Sequence, residues 1–235
     1  MRLRALDLFC GAGGAGMGLH RAGFDVVGVD IKPQRRYPFD FIQADALAPP
    51  VRLSDFDLIW ASPPCQAHST IAKQQRSRRP GVHHHPDLVS PCRDMLRASG
   101  LPWIMENVKG APLENPVQLC GSSFGLDVHR HRLFQLSGFF VMSPPCVHAN
   151  QAPRFRSLDK RRAGKLARVV GVHGHLNYSG ERDLRQKAMG IDWMDDYELT
   201  QAIPPDYSEY LGRAFMEAAS RNGRGWSCES QAVAP

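Results

Sequence analysis

Between Arg4 and Asp30 the chain sets out strand, glycine turn, helix and second strand in one short stretch, and this limits the fold more than any other segment. Residues 4–9, Arg-Ala-Leu-Asp-Leu-Phe, read as a strand, and a Gly/Ala-rich turn leads into a helix through about Arg21. Asp25-Val26-Val27-Gly28-Val29-Asp30 reads as the next strand. A strand at 57–61, a helix around Asp87 to Ala98 and a strand at 102–107 continue the alternation. Such a pattern builds a parallel sheet with helices on both faces. Ligands then belong at the carboxyl ends of the strands, where the glycine turn, Asp30, Cys65 and Glu106 all fall. After about Ser137 the alternation weakens, and Pro144-Pro145, a basic stretch and Gly171 to Gly180 read as an irregular insert. Helical patterning returns from Arg182 to Met189 and from Tyr207 to Ala219. The expected division is 1–137 as core, 138–180 as insert, 181–221 as helices completing the core, and 222–235 as a Gly/Ser-rich tail that frays.

With 235 residues the chain fits one domain with an appendage. No stretch approaches a membrane span, and the opening residues lack the core of a signal peptide, so a soluble intracellular protein is expected. The six cysteines, at 10, 65, 92, 120, 146 and 228, show no paired short spacing. Neither a disulfide framework nor a zinc ribbon is therefore indicated. His83-His84-His85 with Cys92 invites a metal reading, but consecutive histidines diverge, and no metal is expected. A net charge of +6 suggests a polyanionic partner.

Gly11-Ala12-Gly13-Gly14-Ala15-Gly16 satisfies Gly-x-Gly-x-x-Gly between strand and helix, with Asp30 ending the next strand at the spacing of a ribose-binding acid. Two cofactor classes fit. A dinucleotide would set its pyrophosphate on the helix N-terminus, whereas S-adenosylmethionine would use the glycines for close backbone approach. Asp45 is a further polar candidate at a strand end, or a cap. In Pro63-Pro64-Cys65-Gln66 a cysteine stands behind two prolines that cannot continue a strand, so its nucleophilic side chain is held in a stiff turn.

Four motifs stand in order: Asp7-Leu8-Phe9-Cys10-Gly11-Ala12-Gly13-Gly14, Pro63-Pro64-Cys65-Gln66, Glu106-Asn107-Val108 and Arg130-His131-Arg132-Leu133-Phe134. Together they resemble those of the DNA (cytosine-5)-methyltransferase family, in its compact bacterial or phage type. The resemblance implies an α/β fold: a Rossmann-like S-adenosylmethionine-dependent core with a mostly parallel sheet and a small target-recognition insert. It implies S-adenosyl-L-methionine as cofactor, with S-adenosyl-L-homocysteine as product, held by Phe9, Gly11, Gly13, Gly14, Asp30, Asp45 and Pro63. Cys65 would attack carbon 6 of a cytosine, Glu106 would act at ring nitrogen 3, Arg132 would contact O2, and Arg130 would help hold Glu106 and its loop. The cytosine lies inside a duplex, so the resemblance also implies its extrusion into the pocket. The partner is then double-stranded DNA, bound by a monomer, in the bacterial cytoplasm and nucleoid or, for a phage enzyme, the host cytoplasm. A restriction enzyme could accompany it. Rival readings are the same chemistry on transfer RNA and a non-catalytic DNA-binding relative.

Residues 66–85 are expected to close over the base, with Gln66, Ser69, Arg76, Arg78 and Arg79 on DNA. In the insert, Arg154 and Arg156 open a basic run suited to phosphate contacts. His173, His175, Asn177 and Tyr178, set among glycines, suit base edges. The short insert limits the target to about two to four base pairs. Departures from the family pattern are Val128, where a glutamine usually stands, and Thr200-Gln201, where Gly-Asn usually precedes Ala-x-Pro-Pro.

Overall fold

The computed structural model describes residues 2–68, 86–148, 170–172 and 182–221. The strands are β1 (Arg4–Leu8), β2 (Asp25–Asp30), β3 (Asp40–Gln43), β4 (Leu58–Ala61), β5 (Trp103–Asn107), β6 (Val117–Leu119) and β7 (Arg132–Ser137). Among the described residues the helices are α1 (Gly14–Ala22), α2 (Val89–Ala98), α3 (Arg182–Met189), α4 (Asp196–Gln201) and α5 (Pro205–Arg221). One seven-stranded sheet runs β3-β2-β1-β4-β5-β7-β6. The five strands from β3 to β5 are parallel, and β7 is antiparallel to both β5 and β6. The expected mostly parallel sheet is thus found, with an antiparallel edge that the strand-helix alternation did not announce.

Strand periodicity divides the core into two layers. Ala5, Leu58, Trp60 and Ile104 point to one face, under Leu19 of α1 and Tyr207, Leu211 and Phe215 of α5. Leu6, Leu8, Ile59, Ala61 and Met105 point to the other, under Val89, Cys92 and Leu96 of α2. Trp60, Phe134 and Tyr207 lie ring to ring across the first layer, with centroids 5.7 Å and 6.1 Å apart. Burying side chains of this size stabilises the fold by about 2–3 kcal/mol each. A third cluster joins Ala12 of the glycine turn to Val128, Met189, Leu199 and Ala202. The late chain is thereby packed directly against the first turn.

Strand order reverses between β1 and β4: from β1 the chain proceeds to β2 on one side, and β4 pairs on the other. At such a switch point the following turns diverge and leave a crevice. The turn after β1 carries the glycines, and the turn after β4 carries Cys65. Ala61 is in register with Leu8, and Ser62 N–H donates to Leu8 O at 3.1 Å, so the two turns leave the sheet side by side.

Candidate active site

The glycine turn forms one wall. Gly13 caps α1 with φ 86°, a conformation that side chains with a Cβ avoid, and a Cβ on Gly14 would lie 2.4 Å from Ile203 O. Gly11 has open space where a Cβ would project, and its N–H donates to Asp30 Oδ2 at 3.0 Å. The other Asp30 oxygen accepts from Lys32 N–H at 2.9 Å. Phe9, at φ 57°, is held in the left-handed region, unusual for a bulky residue and a form of strain that clusters at ligand sites. Asp45 is exposed and accepts from Leu47 N–H at 2.9 Å, closing the turn after β3. Ala44 N–H donates to Asp30 O at 3.0 Å, which ties the same turn to Asp30.

Beneath this wall lies a pair that sequence reading missed. Tyr37 Oη donates to Asp7 Oδ2 at 3.1 Å, and its ring fills the space above Gly28, where a Cβ would come within 2.3 Å. Asp7 is fully buried, and burial raises its pKa to about 7 against the opposing Tyr37 hydrogen bond. Trp193 Nε1 donates to Ala12 O at 2.8 Å, so the late chain grips the glycine turn. No local pattern around Tyr37 or Trp193 distinguishes them from ordinary core aromatics.

Cys65 begins a short 3-10 turn, Cys65–Ala67, behind the buried Pro63. Asn107 Nδ2 donates to Pro63 O at 2.9 Å, locking the end of β5 to the cysteine turn. Burial foremost, then the charge of Glu106, pushes the Cys65 thiol up, while Arg132 and Arg130 pull it down. These opposed influences place all four residues in one electrostatic cluster. Glu106 is buried, and desolvation raises its pKa against the pull of Arg132, Arg130 and a Ser62 hydrogen bond. Arg132 Nε meets Glu106 Oε1 at 3.1 Å. Gln66, next to Cys65, has a buried Oε1 with no hydrogen-bond partner among the described residues.

Of the two tasks expected of Arg130, holding the loop stays with it and the ion pair with Glu106 falls to Arg132. Arg132, not Arg130, makes the ion pair with Glu106, because Glu106 and Phe134 are paired across β5 and β7 and Arg132 extends along the same edge. Arg130, at φ 30°, turns away and donates to Ala202 O at 2.8 Å, Val172 O at 2.5 Å and Thr200 O at 2.7 Å. Burial and the neighbouring Arg132 lower its pKa to about 9, which leaves it charged at neutral pH. Two departures from the family pattern find their reason here. Val128 packs in the apolar cluster with Met189 and Leu199. At Thr200 and Ala202 it is backbone carbonyls that meet Arg130, so side-chain identity matters less.

His68 Nε2 and Asp87 Oδ1 are 2.9 Å apart, which joins the two described ends of the segment expected to close over the base. Ser69, Arg76, Arg78, Arg79, Arg154, Arg156, His173, His175, Asn177 and Tyr178 lie outside the described residues, as does His83-His84-His85.

Comparison with known proteins finds a family likeness in the first half of the chain. Residues 3–115 match the model of the C-5 cytosine-specific DNA methylase family. Over those residues the chain is similar to that family. It is 32% identical over 124 residues to the Type II methyltransferase M.XorII of Xanthomonas oryzae, a match covering 45% of this chain and 28% of that protein. The chain therefore spans 28% of the length of this curated relative. Solved structures with a similar fold include the S. pombe Dnmt2 methyltransferase, with TM-score 0.54, 15% identity, and 92% of this chain and 99% of that one covered. The Entamoeba histolytica methyltransferase EhMeth gives TM-score 0.53 and 11% identity, covering 92% and 98%. The cofactor of a C-5 cytosine methylase is S-adenosylmethionine. The crevice fits it: Gly11 has open space above its Cα, Gly13 and Gly14 hold the turn close, and Asp30 ends β2 beside it. No helix among the described residues is long and apolar enough to cross a membrane.

Proposed function

We propose that the protein transfers a methyl group from S-adenosylmethionine to carbon 5 of a cytosine flipped out of double-stranded DNA, through a covalent adduct with Cys65. The observation that carries this reading is the ion pair of buried Glu106 with partly buried Arg132, within electrostatic reach of Cys65 at the ends of neighbouring strands. S-adenosylmethionine, when bound, supplies an electrophilic methyl group on a sulfonium. Phe9, Gly11, Gly13, Gly14, Asp30, Asp45 and Pro63 would line its side of the crevice.

Carbon 5 of cytosine is too weak a nucleophile to take that methyl unaided. The Cys65 thiolate adds to carbon 6, forming the carbon–sulfur bond, and the displaced electron pair makes carbon 5 nucleophilic. A proton or hydrogen bond from Glu106 at nitrogen 3 stabilises the charge that develops. Arg132 holds Glu106 and reaches the cytosine O2, while Arg130 fixes the loop through its carbonyl contacts. After methylation carbon 5 loses its proton to water, and elimination breaks the carbon–sulfur bond and returns the thiolate. The target carbon is inaccessible inside a duplex, hence the flipping. Gln66, whose amide oxygen stands buried without a partner among the described residues, suits a contact with the flipped nucleotide or the gap it leaves. The positive net charge favours the polyanionic substrate.

Transfer of labelled methyl groups to duplex DNA and to transfer RNA tests the substrate, and transfer to transfer RNA alone would refute the DNA reading. A duplex carrying 5-fluorocytosine tests the adduct, because fluorine at carbon 5 blocks elimination. A denaturation-resistant complex through Cys65 is expected, and its absence despite turnover on ordinary cytosine would overturn the covalent mechanism.

A further inference from the structure

Four side chains converge beyond the crevice that methyl transfer leaves without a task. β6 and β7 are antiparallel with Leu119 opposite Arg132, so the residues just past that pair, Cys120 and His131, come face to face. Cys146 and His148 approach from the segment after β7, and the ligand atoms of all four lie within 4.8 Å of one another. Cys120 Sγ is 3.1 Å from His148 Nε2, and Cys146 Sγ is 3.5 Å from His131 Nε2. In a tetrahedral zinc site neighbouring ligand atoms are about 3.5 Å apart, given the usual zinc–sulfur and zinc–nitrogen lengths. Two separate thiol–imidazole hydrogen bonds need no common centre. Four donor atoms gathered round one point have the form of a coordination shell.

The surrounding frame holds this geometry independently. Ser122 Oγ lies 3.1 Å from Cys120 Sγ and accepts from Val147 N–H at 3.1 Å. Ser123 Oγ donates to Pro145 O at 2.8 Å, and Ser143 Oγ donates to Gln118 O. Tyr210 Oη, on α5, donates to Met142 O at 2.8 Å. The segment bearing Cys146 and His148 is therefore docked against β6, the turn after it and α5, both before Cys146 and between the two ligands.

We propose that Cys120, His131, Cys146 and His148 form a structural zinc site. Two thiolates and two imidazoles in a tetrahedral set suit Zn²⁺, and four protein ligands leave no open position for catalysis. Binding releases the two thiol protons to solvent and forms two zinc–sulfur and two zinc–nitrogen bonds, with no change of oxidation state. The ion joins the end of β6, the start of β7 and the segment leading toward residue 149. Because His131 stands between Arg130 and Arg132, ligation also fixes the loop that carries both arginines.

The test is metal analysis of the full chain, purified with reductant and without added chelator. About one zinc per chain is expected, retained in Cys65→Ser and lost in Cys146→Ser and His148→Ala. Cys146 is exposed, so its serine variant should fold, which circular dichroism checks. For the wild-type chain, cobalt added after chelation should give the visible bands of a tetrahedral thiolate-bound ion, abolished by Cys146→Ser. A wild-type chain with neither zinc nor a cobalt spectrum would overturn the proposal, as would zinc retained in both ligand variants. A Cys120–Cys146 disulfide that persists under reductant would also overturn it.

Discussion

The early and late parts of the chain contribute to the site in different ways. Up to β5, each contribution sits at the end of a parallel strand: the glycine turn after β1, Asp30 closing β2, Cys65 after β4 and Glu106 in β5. After β5, much of the contribution is a grip on backbone. Arg130 holds the carbonyls of Thr200, Val172 and Ala202, and Trp193 holds that of Ala12. Arg132 apart, which pairs with Glu106, the early residues would define which reaction is available and the late ones where its parts stand. Substitutions in the two regions should therefore fail differently, in chemistry on one side and in positioning on the other.

The largest effect belongs to Cys65, the proposed nucleophile. Cys65→Ser should lower methyl transfer by at least roughly 10⁴-fold, because serine is far less nucleophilic without a dedicated base. Cofactor binding, measured by calorimetry, should change little, since the glycine wall is untouched. A cofactor affinity that collapses with the activity would show that Cys65 shapes the crevice as well as reacting in it.

Glu106→Gln should cost about 10²–10⁴-fold in kcat, the usual range for a general acid. The pH profile carries more information than the rate. The thiol is pushed up by burial and by Glu106, and Glu106 is itself raised above an ordinary glutamate. The reactive form needs thiolate with protonated Glu106, so it differs from thiol with ionised Glu106 only by the place of one proton. Between the two pKa values that exchange is independent of pH, and wild-type kcat/KM should be flat there. With glutamine at 106 the exchange is lost, and kcat/KM should climb with pH as thiolate forms. A wild-type profile that climbs in the same way would remove the proton from Glu106.

How much of this was legible depended on whether position followed from local pattern. Strand ends follow from alternation, so Gly11, Gly13, Asp30, Cys65 and Glu106 could be named as one crevice from the sequence. Arg182–Met189 could be read as a helix from its spacing, as the structure shows. The antiparallel edge could not, because Val117–Leu119 is too short for periodicity to show, and it alone brings Cys120 opposite His131. The pairing of Glu106 with Arg132 rather than Arg130 has the same origin: it turns on the register of β7 and on the left-handed backbone at Arg130. Tyr37 and Trp193 act through contacts at long sequence separation, and composition carries no trace of those.

A smaller effect, on stability, tests the floor of the crevice. Asp7 has a pKa of about 7 in the folded chain against an ordinary value of 3.8. Between those values the native state keeps a proton that the unfolded chain has lost, so stability falls as pH rises through the window. The full difference is roughly 4 kcal/mol at most, an upper bound set by the shift. Asp7→Asn cannot ionise, and its urea unfolding free energy should be flatter from about pH 4 to about pH 7 than that of the wild type. An equal slope in both proteins would mean that Asp7 titrates normally and that water reaches it.

The smallest effect should come from the late chain's grip on the early turn. Trp193→Phe keeps the aromatic packing in the third cluster but removes the donor to Ala12 O. One such hydrogen bond contributes about 1 kcal/mol. Part of that will appear as weaker cofactor binding, because Ala12 lies inside the glycine turn, and an increase of about 2- to 5-fold in the dissociation constant is expected from that energy. If the late chain acts by positioning, kcat at saturating cofactor should stay within about 2-fold of wild type, since a lost hydrogen bond remote from Cys65 leaves the transition state untouched. A kcat that falls while cofactor affinity holds would reverse the comparison. It would place Trp193 with Cys65 and Glu106 among the groups that act on the reacting atoms.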